Sequence, residues 1–166
     1  MRWMDFLSLE AIRPALRAHD RDSLLDELAG LMAPESGVAP EVIASQLRAR
    51  EALGATVMAG GVAIPHCRVE GARGIVTCLG MSRRGLVFGA PEDGRVRIFV
   101  GLVAPTDTAG LHLNVLSRIA TLLRAPSLRD ALLATTTARE AYALLSWAES
   151  LHPQPVESPL PDSLHG

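Results

Sequence analysis

The chain has 166 residues, is 48% hydrophobic and 20% charged, and carries a formal net charge of −2 at pH 7. This length and balance indicate one globular domain with a substantial core, and the lack of a basic excess argues against a nucleic-acid-binding face. All sixteen basic residues are arginine, which excludes lysine Schiff bases and P-loop nucleotide binding.

The two cysteines and the apolar stretches indicate where the protein works. Cys67 and Cys78 match neither a disulfide framework nor a zinc-binding spacing, so we expect reduced thiols. The N-terminus lacks the cationic and apolar regions of a signal peptide. No stretch reaches the roughly 18 to 20 apolar residues needed to cross a bilayer. We therefore expect a cytoplasmic protein without direct membrane insertion.

Two helices are predicted before the first strand. Apolar residues recur at helical spacing over residues 21–33, and Pro34 and Gly37 are expected to end this helix. A second helix begins near Pro40, a residue suited to the first helical turn, and runs to about Glu51.

Arg50 lies on the last turn of the second predicted helix. It follows Ile43 by seven residues and Leu47 by three, so it continues their apolar stripe. Two interpretations stay open at this point. The arginine either faces an anion at a site or is simply favoured at a helix C-terminus by the helix dipole.

The middle of the chain predicts a block of strands. Residues 96–104 are expected to form a central strand because their second half is almost wholly apolar, and Pro105 ends it. Shorter strands are predicted over residues 62–64, 75–81 and 86–88, with a turn over residues 91–94.

Three more helices are predicted over residues 110–124, 126–134 and 137–149. Helices on both sides of a block of strands indicate an α/β fold with a central sheet. Beyond the last helix, prolines recur among polar residues. We therefore divide the chain into a domain over residues 1–150 and a disordered tail over residues 151–166.

His66 has the most constrained setting of the five histidines. Gly60 and Gly61 precede a short apolar strand, and Pro65 fixes the backbone directly before the histidine. Such a stiff approach favours a side chain that is aimed at a ligand. The alternative is an ordinary histidine at the start of a loop.

His112 lies in the first turn of a predicted helix. It shares a face with Val115, Leu116 and Ile119, which is typical of a histidine packed in the core. The start of a helix that follows a central strand also favours anion binding, so a functional role is the other interpretation.

Two other chemistries would use the same residues. A metal site would need His66, Cys67 and His112, and a cysteine protease dyad would need Cys67 with His66. The side chains of adjacent residues diverge, which disfavours both. No compact cluster of histidine, cysteine and carboxylate residues supports a metal. We expect neither a metal nor a cofactor.

Two segments together resemble a known family. The first is Arg50-Glu51, then Gly54-Ala55-Thr56, then Gly61-Val62-Ala63-Ile64-Pro65-His66; the second is the strand up to Pro105 with His112-Leu113-Asn114-Val115-Leu116. They are similar to the active-site segment and the His-Leu-x-x-Leu helix of enzyme IIA domains of the fructose–mannitol class. These domains belong to the bacterial phosphoenolpyruvate-dependent phosphotransferase system and include nitrogen-regulatory paralogues. The resemblance covers about residues 5–148.

The resemblance implies a three-layer α/β sandwich with a mixed β-sheet between helices. It implies that His66 accepts a phosphoryl group from a histidine phosphocarrier protein, with Arg50 and His112 lining the site. Thr56 is a further candidate to support the phosphoryl group through its hydroxyl. The group would pass to a IIB component of a permease or would regulate a protein target. No fused permease or IIB-like segment occurs in the chain, which favours the nitrogen-regulatory role.

One departure from the family pattern keeps an alternative open. The usual Thr-Gly-Ile-Gly run is Thr56-Val57-Met58-Ala59 here, so two expected glycines are missing. The alternative is a non-catalytic interaction or ligand-sensing module that retains the fold.

Overall fold

The computed structural model describes residues 1–152. The strands are β1 (Leu7–Arg13), β2 (Val57–Met58), β3 (Val62–Ala63), β4 (His66–Arg68), β5 (Val76–Val87) and β6 (Arg95–Ala104). The helices are α1 (Arg21–Ser36), α2 (Pro40–Glu51), α3 (Leu111–Leu123), α4 (Pro126–Leu133) and α5 (Ala138–Leu151). Single 3₁₀ turns lie at Trp3–Phe6 and Pro91–Asp93. No helix within residues 1–152 is long and apolar enough to span a bilayer.

The strands form one mixed sheet in the order β1-β5-β6-β3-β2, and β4 also pairs with β6. β5 and β6 are antiparallel, whereas β1 runs parallel to β5, and β3 and β4 run parallel to β6. β3 and β4 lie in line along one edge of β6, because Val62 pairs with Ile98 and His66 pairs with Leu102. His66 is therefore held level with the carboxyl-terminal half of β6.

Successive residues of β5 show that helices cover both faces of the sheet. The Cys78 thiol contacts the Leu28 carbonyl of α1. Thr77, which points the opposite way, accepts a hydrogen bond from the Trp3 indole at 3.0 Å. The turn that contains Trp3 is tied to α5, because Met4 N–H donates to Glu149 at 2.9 Å. The predicted three-layer α/β sandwich is confirmed.

β6 is the centre of the core. From Ile98 to Ala104 every residue is buried, as the apolar run predicts for a strand covered on both faces. Phe99 packs edge-on against Phe88, with ring centroids 5.4 Å apart. The prediction that this strand is central is confirmed.

Pro34 does not end α1, contrary to expectation. The helix continues to Ser36 and ends at Gly37, which adopts φ 69° and donates its N–H to the Ala33 carbonyl at 3.1 Å. Proline removes a bond to the carbonyl of Gly30, and Gly30 is exposed, so this carbonyl is not buried without a partner.

The strand predictions need correction at four places. Neither β1 nor the short β2 was predicted; the register of β1 shifts between Leu7 and Ile12, so its burial does not alternate. The strands predicted over 75–81 and 86–88 are one strand, β5, interrupted by a bulge. Residues 66–68 form the strand β4, whereas the sequence analysis offered the start of a loop as the alternative for His66. α5 ends at Leu151, and the rest of the predicted tail lies outside the described residues apart from His152.

Candidate phosphoryl-transfer site

His66 begins β4 and has a fixed ring orientation. Its Nδ1 lies 2.7 Å from the carbonyl oxygen of Ile64. A carbonyl only accepts hydrogen bonds, so Nδ1 carries the proton, and in the neutral ring Nε2 keeps its lone pair. The Pro65 carbonyl accepts from Leu102 N–H at 3.0 Å, which ties the backbone before the histidine to β6. The ring therefore presents one defined nucleophilic nitrogen.

His66 lines a groove of about 660 Å³ between α2, β4 and the start of α3. Its polar and charged lining residues are Gln46, Arg50, His66, Arg68, Thr106 and His112. The structure thus brings Arg50 and His112 to the same groove as His66, as the resemblance implies for the site. We call this the His66 groove.

Arg68 is a member of the His66 groove that the sequence analysis missed. Side chains alternate along a strand, so His66 and Arg68 lie on one face of β4 and Cys67 on the other. Cys67 is buried and Arg68 is exposed, in agreement with this alternation. The spacing of two residues between His66 and Arg68 predicts that both side chains lie on one face, but only if residues 66–68 are known to form a strand.

His112 lies in the first turn of α3 and is only partly buried. Its Nδ1 lies 2.6 Å from the Thr108 hydroxyl. Burial lowers the pKa of His112 below its ordinary value, and the guanidinium of Arg68 and the neighbouring His66 lower that pKa further. His112 is therefore neutral around pH 7, and its position in the groove excludes the interpretation as a fully packed core residue.

The turn before His112 contains a strained residue. Ala109 adopts φ 51°, the single positive φ of a non-glycine residue among residues 1–152, and Gly110 follows at φ 86°. A left-handed alanine costs on the order of 1 kcal/mol. The turn leads directly into the first turn of α3, so its conformation sets the entry of His112 into the groove.

Arg50 reaches the His66 groove from the last turn of α2. Its Nη1 donates to the Gly54 carbonyl at 3.3 Å, and no carboxylate pairs with it among residues 1–152. Most of its guanidinium donors are therefore available to an anion in the groove.

Thr56 lies outside the lining of the His66 groove. Its hydroxyl donates to Glu51 Oε1 at 2.8 Å, and its N–H lies 3.3 Å from Glu51 Oε2. Glu51 is buried and also lies 3.9 Å from Arg21 Nη2. These bonds fix the loop that joins α2 to β2.

The loop that lacks two family glycines has an ordinary backbone at the substituted positions. Val57 lies in β2, which pairs with β3 in a short hairpin, and neither Val57 nor Ala59 has a positive φ. The positive φ angles occur at Gly60 (92°) and Gly61 (74°), which are still glycine. The missing glycines therefore do not disturb the hairpin.

Cysteine and metal chemistry find no support at this site. Burial raises the pKa of Cys67 to about 12, so its thiol does not ionise near neutral pH. No group of three or more histidine, cysteine or acidic residues within residues 1–152 is arranged to hold a metal ion.

Comparison with known proteins identifies the class to which this sheet and groove belong. Residues 5–147 match the family described as phosphoenolpyruvate-dependent sugar phosphotransferase system, EIIA 2. The chain belongs to this enzyme IIA family, and it is a phosphotransferase-system component of the mannitol-type fold.

Within the family, the chain is similar to nitrogen regulatory proteins. It is 32% identical to one from Bradyrhizobium diazoefficiens over 86% of this chain and 93% of the relative. The crystal structure of nitrogen regulatory protein IIA-Ntr from Neisseria meningitidis has a TM-score of 0.80 at 31% identity, covering 86% of this chain and 97% of that one. The mannitol enzyme IIA of Escherichia coli, solved in complex with phosphorylated enzyme IIB, shares the fold, with a TM-score of 0.73 at 23% identity over 85% and 99% of the two chains.

Proposed function

We propose that this protein carries a phosphoryl group on Nε2 of His66, received from a histidine phosphocarrier protein. The observation that carries the proposal is the 2.7 Å bond from His66 Nδ1 to the Ile64 carbonyl. This bond leaves Nε2 as the free nitrogen of a ring that lines a groove with two arginines. Family membership and the similarity to nitrogen regulatory proteins support the same role.

The transfer needs no proton to move before attack. The lone pair of Nε2 attacks phosphorus while the bond from phosphorus to the donor's imidazole nitrogen breaks, and that electron pair returns to the donor ring. The new N–P bond leaves the His66 ring cationic, with its proton still on Nδ1. The Ile64 carbonyl stabilises this form because a charged donor makes a stronger hydrogen bond.

The charged residues of the His66 groove supply what phosphoryl transfer asks of a protein, which is positioning and charge stabilisation. Arg50 and Arg68 offer guanidinium forks to the phosphoryl oxygens from two sides of the groove. When the Thr108 hydroxyl donates to His112 Nδ1, His112 Nε2 carries the proton and is a further donor.

Thr56 supports the site through the loop. Its hydroxyl is already donated to Glu51, so a direct bond to a phosphoryl oxygen requires that contact to open. We therefore assign Thr56 to holding the segment between Arg50 and β2 in place. Thr56→Ala is expected to loosen this segment more than it weakens a phosphoryl contact.

The rim of the groove fits a small, transient protein contact. Leu53 is 83% exposed and Leu113 is 59% exposed, and both line the groove beside the charged residues. Two proteins that only exchange a phosphoryl group need a small interface, under about 1,200 Å². We infer that the phosphocarrier protein docks here, in the cytoplasm.

The next acceptor uses the same rim. We favour a regulatory protein target over a IIB component, because the nitrogen regulatory relatives are the more similar ones. The complex of mannitol enzyme IIA with phosphorylated enzyme IIB gives a precedent for a IIB partner in a protein of this fold.

The test is a reconstituted relay of phosphoenolpyruvate, enzyme I and the phosphocarrier protein, read by intact mass. We expect a gain of one phosphoryl group that is lost in acid, and no gain in His66→Ala. His19→Ala is the matched control, because His19 is exposed and does not line the groove. Undiminished labelling of His66→Ala would reject His66, and no labelling of the wild type would favour the non-catalytic interaction module.

A further inference from the structure

A second charged surface lies at the end of β6 opposite to the His66 groove. A cavity of about 410 Å³ opens between the segment that precedes α1 and the bulge of β5. Its charged or titratable lining residues are Arg17, His19, Arg83, Arg84 and Arg95. We call it the arginine cavity.

The bulge of β5 places two consecutive arginines in solvent. Met81 pairs with Ile98 and Leu86 with Val96, so residues 82–85 together face the single residue Arg97. In a regular strand one of two neighbouring side chains points inward, but here both Arg83 and Arg84 are exposed.

Hydrogen bonds hold the bulge in this shape. The Ser82 hydroxyl accepts from Gly85 N–H at 3.1 Å, and Gly85 adopts φ 71°. Arg95 donates to the Gly85 carbonyl at 3.1 Å, and Arg97 donates to the Arg83 carbonyl at 2.9 Å. The bulge is therefore built by the arginines of β6, which adds their charges to those of Arg83 and Arg84.

This positive charge is not balanced by carboxylates. None of Arg17, Arg83, Arg84, Arg95 and Arg97 forms an ion pair within residues 1–152. The nearby carboxylate of Glu27 pairs with Arg13 at 2.7 Å and accepts hydrogen bonds from the backbone N–H groups of Arg17 and Ala18. It forms no ion pair with the arginines of the cavity. Although the net charge of the chain is −2, five guanidinium groups without a carboxylate partner among residues 1–152 lie near the start of β6.

The arginine cavity is separate from the His66 groove. Arg95 starts β6, and the residue that pairs with His66 is Leu102, seven positions further along the strand. At about 3.3 Å per residue these positions are about 23 Å apart. A ligand in the cavity does not touch the residues that line the groove.

We propose that the arginine cavity binds a small polyphosphate compound. Guanidinium forks match phosphate oxygens in pairs, and several such forks around a concavity favour a compact ligand of high charge over a flat acidic protein surface. Among residues 1–152 no phenylalanine, tyrosine or tryptophan lines the cavity, so stacking on a base is left to the exposed His19 ring and the guanidinium groups. The phosphate chain is the recognised part, and inorganic triphosphate should bind about as well as a nucleoside triphosphate.

The experiment titrates the full chain with inorganic triphosphate, with a nucleoside triphosphate and with a glutamate-rich peptide, each at low and at near-physiological salt. We expect both triphosphates to bind with similar affinity and the peptide to bind more weakly. The double variant Arg83→Glu/Arg84→Glu should lose at least tenfold in triphosphate affinity. The control Arg124→Glu/Arg139→Glu makes the same charge change at exposed positions outside the cavity and should bind like the wild type.

Circular dichroism and the thermal midpoint establish that both double variants fold. Equal loss of affinity in the two variants would show a general charge effect and overturn the proposal. Tighter binding of the peptide than of triphosphate would overturn it in favour of an acidic protein partner. No binding by the wild type at near-physiological salt would also reject it. Phosphorylation of His66 is measured separately and should be unchanged in Arg83→Glu/Arg84→Glu.

Discussion

His112, on α3, lies within electrostatic reach of Arg68, on β4, although the two residues come from different elements. Burial is the main cause that lowers the pKa of His112, and the guanidinium charge of Arg68 lowers it further. The pair joins the two sides of the His66 groove. The charge state of one side of the groove therefore depends on a residue of the other.

Replacing Arg68 should change both the titration of His112 and the rate of transfer. Arg68→Ala removes a positive charge, so the pKa of His112 rises in an NMR titration. Loss of one charge-assisted donor should raise the barrier by roughly 2 to 4 kcal/mol in rapid-quench phosphotransfer. Arg48→Ala is the control, because Arg48 pairs with Asp22 and Asp26 away from the groove. Wild-type titration and rate in Arg68→Ala would remove Arg68 from the site.

Arg50→Ala should slow transfer without unfolding the protein. Within residues 1–152 the side chain makes one hydrogen bond, to the Gly54 carbonyl at 3.3 Å, so little of the described structure depends on it. A lost guanidinium contact at the transition state should cost roughly 2 to 4 kcal/mol in the barrier. Arg50→Lys keeps the charge but not the fork, and an intermediate rate is expected. Transfer at the wild-type rate in Arg50→Ala would contradict the assignment.

Stability should fall in mild acid because of His112. The unfolded chain takes up a proton as the pH falls through about 6.5, whereas folded His112 stays neutral until its own lower pKa is reached. Between these two values the unfolded state binds more protons, so the free energy of unfolding decreases as pH decreases. Urea unfolding from about pH 8 to about pH 5 should show a shallower decrease for His112→Asn than for the wild type. Parallel curves would show that His112 is not responsible.

Glu149→Ala should destabilise the layer that contains α5. The side chain is 0% exposed, accepts from Met4 N–H at 2.9 Å and pairs with Arg118 at 3.0 Å. Its removal leaves the Arg118 charge, 12% exposed, without a carboxylate partner, which costs about 3 to 5 kcal/mol. Urea unfolding measures this loss, and Glu41→Ala, at an exposed position of α2, should change stability by less than about 0.5 kcal/mol. Equal effects of the two substitutions would contradict the prediction.

Both cysteines should be inert in the native protein. Burial raises the pKa of Cys67 and of Cys78 to about 12, so almost no thiolate is present at neutral pH. A thiol reagent should react with neither residue in buffer and with both in denaturant. Rapid labelling of native Cys67 would show that the layer beneath His66 opens to solvent.

The sequence was sufficient for the elements whose burial is continuous or strictly periodic. The run from Ile98 to Ala104 predicts a central strand because both of its faces are covered, and α2 begins at Pro40 as its helix signal predicts. β4 was missed because Pro65 ends one apolar run and the next three residues, His-Cys-Arg, carry no apolar pattern. That strand exists because β6 continues past β3 and offers its edge, which is a tertiary cause.

The candidate site was predictable only in part, because the position of Arg68 depends on β4. Their local settings singled out His66, Arg50 and His112 with alternatives left open, and the resemblance, which depends on sequence order, favoured the functional interpretation. Arg68 requires knowledge that β4 is a strand. A count of charges could not predict the arginine cavity. A net charge of −2 does not show that a bulge places arginines of β5 and β6 close together.

The placement of His66 in a hydrogen-bonded strand has a consequence for signalling. Pro65 and His66 are held in register with Leu102, so the backbone has little room to shift when the ring is modified. The phosphoryl oxygens would carry between about −1.5 and −2 charges, offset in part by the cationic ring, on an otherwise unchanged surface. A receptor that distinguishes the two forms would then sense electric potential more than shape, and rising ionic strength should erode that discrimination.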